Sequence, residues 1–231
     1  MDLEKILNSS KILIIAPHPD DEIIGCGGLI LRAQKAKAKV HVLFGAVGKC
    51  RQLVTGQTDE NVRLEETKQV AKRCGYTYEF MFVGDEFMRL DSLPQKALID
   101  KIEDTISKVK PDIVVIPFEA SYDQDHRAIF SACMTALRPT PQKIRHFVPV
   151  VLECEEPYSW EVGQPFLPNF YLDISAGIAE EKVEALKLHT TQYRKEPFAR
   201  SGENILRIAQ VRGKQAGVDA AEAYRLKRLY A

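Results

Sequence analysis

The sequence predicts an α/β domain of the Rossmann-like type: a mostly parallel, twisted sheet with helices on both faces, spanning residues 1–231 as a single unit. Three observations carry this. Short unbroken apolar runs recur through the first 150 residues, amphipathic stretches alternate with them, and helix-stop residues fall between the two. With 231 residues, 45% of them hydrophobic, the chain can bury a full core without disulfides or a structural metal.

The first apolar run is Lys11 to Ala16 (KILIIA), followed by Pro17. Val40–Ala46 (VHVLFGA), Phe80–Val83 and Asp112–Pro117 (DIVVIP) follow. Runs without polar alternation suit strands covered on both faces, as in a parallel sheet. Helices are expected between them at about 21–37, at 59–74 up to the stop signal Cys74-Gly75, and at 92–109 before Pro111. This βαβα order calls for right-handed crossovers. A further helix is expected at about 125–137, then strands at Phe147–Glu153 and Phe170–Ile174, then helices at about 175–190, 201–213 and 219–229.

The charge is balanced, 32 basic against 32 acidic residues. That argues against nucleic acid as a partner held by a broad positive footprint, and against a polybasic membrane anchor. The sequence has no apolar run of about 18 residues, so no transmembrane segment is expected. The opening MDLEKILNSSK has early acids and no apolar stretch of the secretory kind. Five cysteines, odd in number, widely spaced and without a C-x-x-C, read as reduced thiols in a cytoplasmic protein. A homo-oligomer is compatible with the sequence, which does not fix the state.

Two loops stand where a ligand would sit, beyond the carboxyl ends of strands. Gly48–Asp59 is polar and carries Lys49 and Arg51; Glu155–Asn169 carries Tyr158, Trp160 and Phe166. These aromatic rings suit stacking on a sugar or, equally, ordinary loop packing. His41 and His146 lie in strand patterns and read as structural.

The densest chemical signal is Ala16-Pro17-His18-Pro19-Asp20-Asp21-Glu22, closing the first strand and opening the first helix. One imidazole and three carboxylates fall within five residues. Imidazole with carboxylate suits Zn²⁺ and other divalent first-row ions. A second cluster, Asp123-Gln124-Asp125-His126, follows the DIVVIP strand. In a parallel sheet both clusters reach the same edge. Two histidines and one aspartate would make a three-ligand metal site with a position open to water, and a spare carboxylate would be the general base. Each cluster alone reads as well as solvated loop residues, and Asp20 or Asp21 as a helix cap. Gly25, Gly27 and Gly28 lack phosphate-loop spacing and read as small residues for close helix packing.

The stretch from Ala16 to Gly28 resembles the A-H-P-D-D-E-x-x-G-C-G-G signature of the PIG-L/LmbE-like zinc-dependent N-deacetylases, with Pro17 as one extra residue. Further similarities are Arg63-Leu64-Glu65-Glu66, Asp125-His126-Arg127, His189-Thr190-Thr191-Gln192 and the ending Ala220-Ala221-Glu222-Ala223-Tyr224. The resemblance implies His18, Asp21 and His126 as ligands of Zn²⁺ or another divalent metal, and Asp20 as general base. It implies Asp125 as a carboxylate orienting neighbouring groups, Arg63 at the substrate, and His189 as a late histidine of the site. Glu22 reads as a hydrogen-bond acceptor behind the site or a first-turn acid.

One position departs from the pattern. The family's histidine two residues before the second motif's aspartate is Asp123 here. That histidine is a candidate acid or oxyanion stabiliser, so the proton donor in this chain is left to His189 or Asp20. The resemblance implies hydrolysis of an N-acetylamino sugar or its conjugate to acetate and a free amine. Arg63, with Lys49 or Arg51, is expected to meet an anionic part of that substrate. Two other readings fit the residues: a non-catalytic sugar or nucleotide binder, and a metal-dependent amidase acting on a non-sugar amide.

Overall fold

The structure is a computed structural model that describes residues 10–52, 56–158 and 164–230. The chain runs β1 (Lys11–Ala16), α1 (Asp21–Lys35), β2 (Lys39–Val47), β3 (Cys50–Gln52), β4 (Gly56–Thr58), α2 (Glu60–Cys74) and β5 (Thr77–Val83). It continues through α3 (Gln95–Val109), β6 (Ile113–Ile116), α4 (Gln124–Ala136), β7 (Val150–Cys154), β8 (Phe170–Asp173), α5 (Ile178–Leu186), α6 (Gly202–Ala216) and β9 (Ala221–Leu229).

Among the described residues, seven strands form the main sheet in the order β5-β2-β1-β6-β7-β9-β8. The first five are mutually parallel, and β9 runs antiparallel to both its neighbours. The period-2 alternation of a strand divides β1 between two cores. Ile12, Ile14 and Ala16 join the cluster under α1, α2, α5 and α6, whereas Leu13 and Ile15 join the one under α3 and α4. Both faces are therefore covered, which is why the strand reads as one apolar run.

This order places the reversal of winding between β1 and β6. Connections leave these two strands in opposite directions, opening a crevice beyond their carboxyl ends. The segments that follow them hold the two acidic, histidine-bearing clusters.

Several sequence signals act as expected. Gly75 ends α2 in the left-handed region at φ 73°. Helix α3 starts at Gln95 because residues 90–92 form a separate short 3₁₀ turn with Leu90 buried. Cys26, Cys74, Cys133 and Cys154 are free thiols. Among the described residues no helix is long and apolar enough to cross a membrane.

The expected helix at 219–229 is instead strand β9. Its alanines, leucines and arginines, with Glu222 and Lys227, favour helix locally, but the strand fills the gap between β7 and β8, and tertiary pairing overrides propensity. The fixing contact is Glu222. Its buried carboxylate accepts from the backbone N–H groups of Gly28 (2.6 Å) and Leu29 (2.8 Å), from Tyr224 Oη (2.7 Å) and from Lys182 Nζ (2.7 Å). A Cβ on Gly28 would stand 2.4 Å from Ile174 Cγ2 and 2.9 Å from Glu222 Cδ, so that glycine is required by close approach. Removing one partner of a buried ion pair strands the other charge. Glu222→Ala is therefore expected to cost about 3–5 kcal/mol of unfolding free energy, read from urea denaturation; a loss under about 1 kcal/mol would show that the pair does not hold β9.

Candidate active site

The corner from β1 into α1 is strained. Asp20 stands at φ 114°, a region that non-glycine residues rarely occupy. Its backbone N–H donates to Glu22 Oε2 (2.9 Å), and its side chain makes no cap to α1. The capping alternative for Asp20 is thus not used. Glu22 Oε1 in turn accepts from Tyr76 Oη (2.9 Å) and pairs with His189 Nε2 (2.8 Å). This buried network sets the corner so that Asp20 faces the crevice at 2% exposure.

Each of the two crevice histidines has a carboxylate behind it. His18 Nε2 lies 2.9 Å from Asp125 Oδ2, and Asp125 Oδ1 is held by the N–H of Leu90 (2.9 Å). His126 Nδ1 lies 2.6 Å from Glu156 Oε1, and Glu156 Oε2 accepts from Ser121 Oγ (2.7 Å). These pairings leave one nitrogen per ring, and both remaining nitrogens face Asp21. Asp21 Oδ2 is 3.7 Å from His18 Nδ1 and 3.2 Å from His126 Nε2. It also accepts from the backbone N–H of His18 (3.0 Å). The ring centroids are 5.5 Å apart. Donor atoms of His18, Asp123 and His126 lie within 4.8 Å of one another.

This donor set fits a divalent cation. Imidazole nitrogens fixed by carboxylates on their far side are a common arrangement around a catalytic metal. The charge balance agrees. Burial pushes the His126 imidazole down, but Glu156 and Asp21 reverse this and hold it well above the usual histidine range. Burial pushes the Asp21 carboxyl up, yet the neighbouring His126 and His18 outweigh it and keep Asp21 well below the usual carboxylate range. The carboxylates gathered around the two rings favour positive charge at this centre.

Asp20 behaves differently from its neighbour. Burial raises its carboxyl to about 6 despite Arg200, whose Nη1 lies 2.9 Å from Asp20 Oδ2. Adjacent aspartates are thus divided into one held ionised among imidazoles and one poised near neutrality.

These groups border a cavity of about 480 Å³, the size of a small-molecule site. Arg63, 2% exposed, reaches it from α2 with its guanidinium 4.5 Å over the Phe87 ring and Nη1 donating to the Gly48 carbonyl (3.4 Å). Arg63 Nε is buried without a hydrogen-bond partner. Lys49, Arg51, Arg194 and Arg200 also line the cavity.

The structure thus gathers His18, Asp20, Asp21, Arg63 and His126 in the cavity wall, with Asp125 directly behind His18. His189 is not in the wall. It is 0% exposed and reaches Asp20 only through Glu22. Tyr158 lines the cavity, whereas Phe166 is buried against Phe118, with centroids 5.3 Å apart. Trp160 lies outside the described residues. His41 bonds Thr77 Oγ1 and His146 the Pro111 carbonyl, both away from the site. Glu156 and Arg200 escaped the sequence reading, because nothing local marks a glutamate after β7 or an arginine before α6 as belonging to a crevice made by β1 and β6.

The sequence profile of the family described as PIG-L, GlcNAc-PI de-N-acetylase, matches residues 13–137, more than half of the chain. The protein belongs to the PIG-L family. The diacetylchitobiose deacetylase of Thermococcus kodakarensis is 28% identical over 224 residues, covering 93% of this chain and 82% of that one. The probable N-acetyl-alpha-D-glucosaminyl L-malate deacetylase 2 of Bacillus cereus is 24% identical over 188 residues, covering 78% and 83%. The 4-carboxy-2-hydroxymuconate hydratase of Pseudomonas putida KT2440 shares the fold at TM-score 0.73 and 20% identity, over 96% of this chain and 98% of its own. One fold thus carries unlike chemistries, so function has to be argued from the site. The PIG-L match spans His18 to His126 and stops before Glu156, His189 and Arg200, which the later part of this chain contributes.

Replacing Glu156 by Gln keeps the shape but removes the charge behind His126. Metal affinity is expected to fall about 10–100-fold, the usual cost of losing such a partner, measured by competition with a chromophoric chelator. An unchanged affinity would mean that Glu156 does not orient His126 for a metal.

Proposed function

We propose that this PIG-L protein hydrolyses the acetamide of an N-acetylamino sugar or sugar conjugate, releasing acetate and the free amine, with Zn²⁺ as the divalent metal at His18, Asp21 and His126. One observation carries the reading. Two imidazoles, each backed by a carboxylate, aim their remaining nitrogens at Asp21 beside a separate buried carboxylate, Asp20, inside a sugar-sized cavity. The deacetylase relatives support the same reaction class.

A metal bound there would polarise the amide carbonyl and acidify water. Asp20 is the group that takes the water proton, and its raised position suits a base working near neutrality. Arg200 holds one oxygen of Asp20, and Glu22 holds its backbone, so the carboxylate keeps one direction. The deprotonated water oxygen bonds to the acetamide carbon, the same Asp20 carboxyl returns its proton to the sugar nitrogen, and the C–N bond breaks with its electron pair leaving on that nitrogen, so that the products are acetate and the free amine. His189 sits behind Glu22 and positions the corner rather than touching the substrate.

Arg63 is the substrate-holding group on α2. Its stacking on Phe87 fixes the guanidinium in the cavity wall. With Lys49, Arg51 and Arg194 on the same cavity, an anionic sugar conjugate fits better than a neutral sugar.

Acetate release from a panel of neutral and anionic N-acetyl sugars, with non-sugar acetamides as controls, tests the reading. Asp20→Asn is expected to keep the metal and to lose at least about 10²-fold in kcat. Loss of the metal in Asp20→Asn would assign ligation to Asp20. Release from the non-sugar acetamides alone would move the substrate class away from sugars.

A further inference from the structure

Asp123 precedes α4 and accepts a hydrogen bond from the Asp125 N–H at Oδ1 (2.8 Å) as its N-cap. Its own N–H donates to Ser121 Oγ (3.2 Å), the same hydroxyl that donates to Glu156. The loop entering α4 is therefore tied to the carboxylate that orients His126. In this setting Asp123 lines the cavity, and one of its oxygens lies within 4.8 Å of donor nitrogens of both His18 and His126. An aspartate doing nothing but capping has no need to converge with two imidazoles.

We infer that Asp123 is a direct carboxylate ligand of the divalent ion held by His18, Asp21 and His126. The inference rests on the metal site of the proposed function and extends it. The centre then has two imidazoles and two carboxylates, and the two acids balance the charge of the ion. Two consequences follow. A second hard oxygen donor moves preference toward ions that favour oxygen and higher coordination numbers, such as Mn²⁺, relative to a site with one carboxylate. A ligating carboxylate also holds no proton to give, so Asp123 does not replace the missing histidine as an acid, and proton return rests on Asp20.

The cap supplies a clean control. Asparagine caps a helix as well as aspartate, so Asp123→Asn preserves the start of α4 while replacing an anionic ligand by a weak neutral one. The experiment titrates the metal-free full-length protein with Zn²⁺ and separately with Mn²⁺ against a chromophoric chelator at fixed pH. It compares the wild type with Asp123→Asn and His126→Ala, with thermal unfolding of each metal-free protein alongside. The expected result is a loss of at least about tenfold in affinity for both ions in Asp123→Asn, by analogy with the loss of orienting partners, at an unchanged unfolding midpoint, and larger for Mn²⁺ than for Zn²⁺. Affinities within about twofold of wild type in Asp123→Asn, while His126→Ala loses the metal, would overturn the inference and leave the metal site standing. Unchanged affinity in His126→Ala, or no binding by the wild type, would overturn the site itself and the inference with it. Should Asp123→Asn unfold, Asp123→Ser, which also caps, is measured by the same two criteria.

Discussion

The centre depends on two hydrogen bonds, Asp125 to His18 Nε2 and Glu156 to His126 Nδ1. Each decides which face of an imidazole is spent on the protein and which is left for the crevice. Without them the rings could turn, and the nitrogens facing Asp21 would lose their direction. Both carboxylates are themselves held, by the Leu90 N–H and by Ser121 Oγ. The geometry is therefore built from the scaffold outward: the 3₁₀ turn and the loop entering α4 fix the acids, the acids fix the rings, and the rings define the point where a cation is wanted.

Two adjacent aspartates take opposite roles because their neighbours differ. Asp21 lies between imidazoles and stays ionised. Asp20 is more deeply enclosed, and burial, aided by the Asp21 carboxylate, outweighs Arg200, His189 and Arg63. The backbone at Asp20 is twisted to φ 114° to separate them, and the Glu22, Tyr76 and His189 network holds that conformation. This is strain kept where the chemistry needs two directions from consecutive residues.

The sequence made the sheet legible because β1, β2 and β6 are covered on both faces and so read as apolar runs. It made the crevice legible because both clusters directly follow strands that end at the winding reversal. What it hid was long-range. Glu156 sits after β7 and Arg200 before α6, and only folding brings Glu156 to His126, 30 positions away, and Arg200 to Asp20, 180 positions away. The last strand was hidden for another reason: Ala221–Leu229 has helical propensity, and the buried Glu222–Lys182 pair that makes it a strand involves partners far from the segment itself. Asp123 shows the limit of pattern reading. As a string, it is a histidine that is missing; in the fold, it is a carboxylate converging on two imidazoles.

The central claim is the division of each imidazole between a protein carboxylate and a cation. The most direct measurement is anomalous diffraction from crystals soaked with Zn²⁺. The account predicts one strong peak bonded to His18 Nδ1, His126 Nε2 and the Asp21 carboxylate, with His18 Nε2 still on Asp125 and His126 Nδ1 still on Glu156. A peak on His18 Nε2 or His126 Nδ1 with either acid displaced, or no peak in the crevice between β1 and β6, would contradict it.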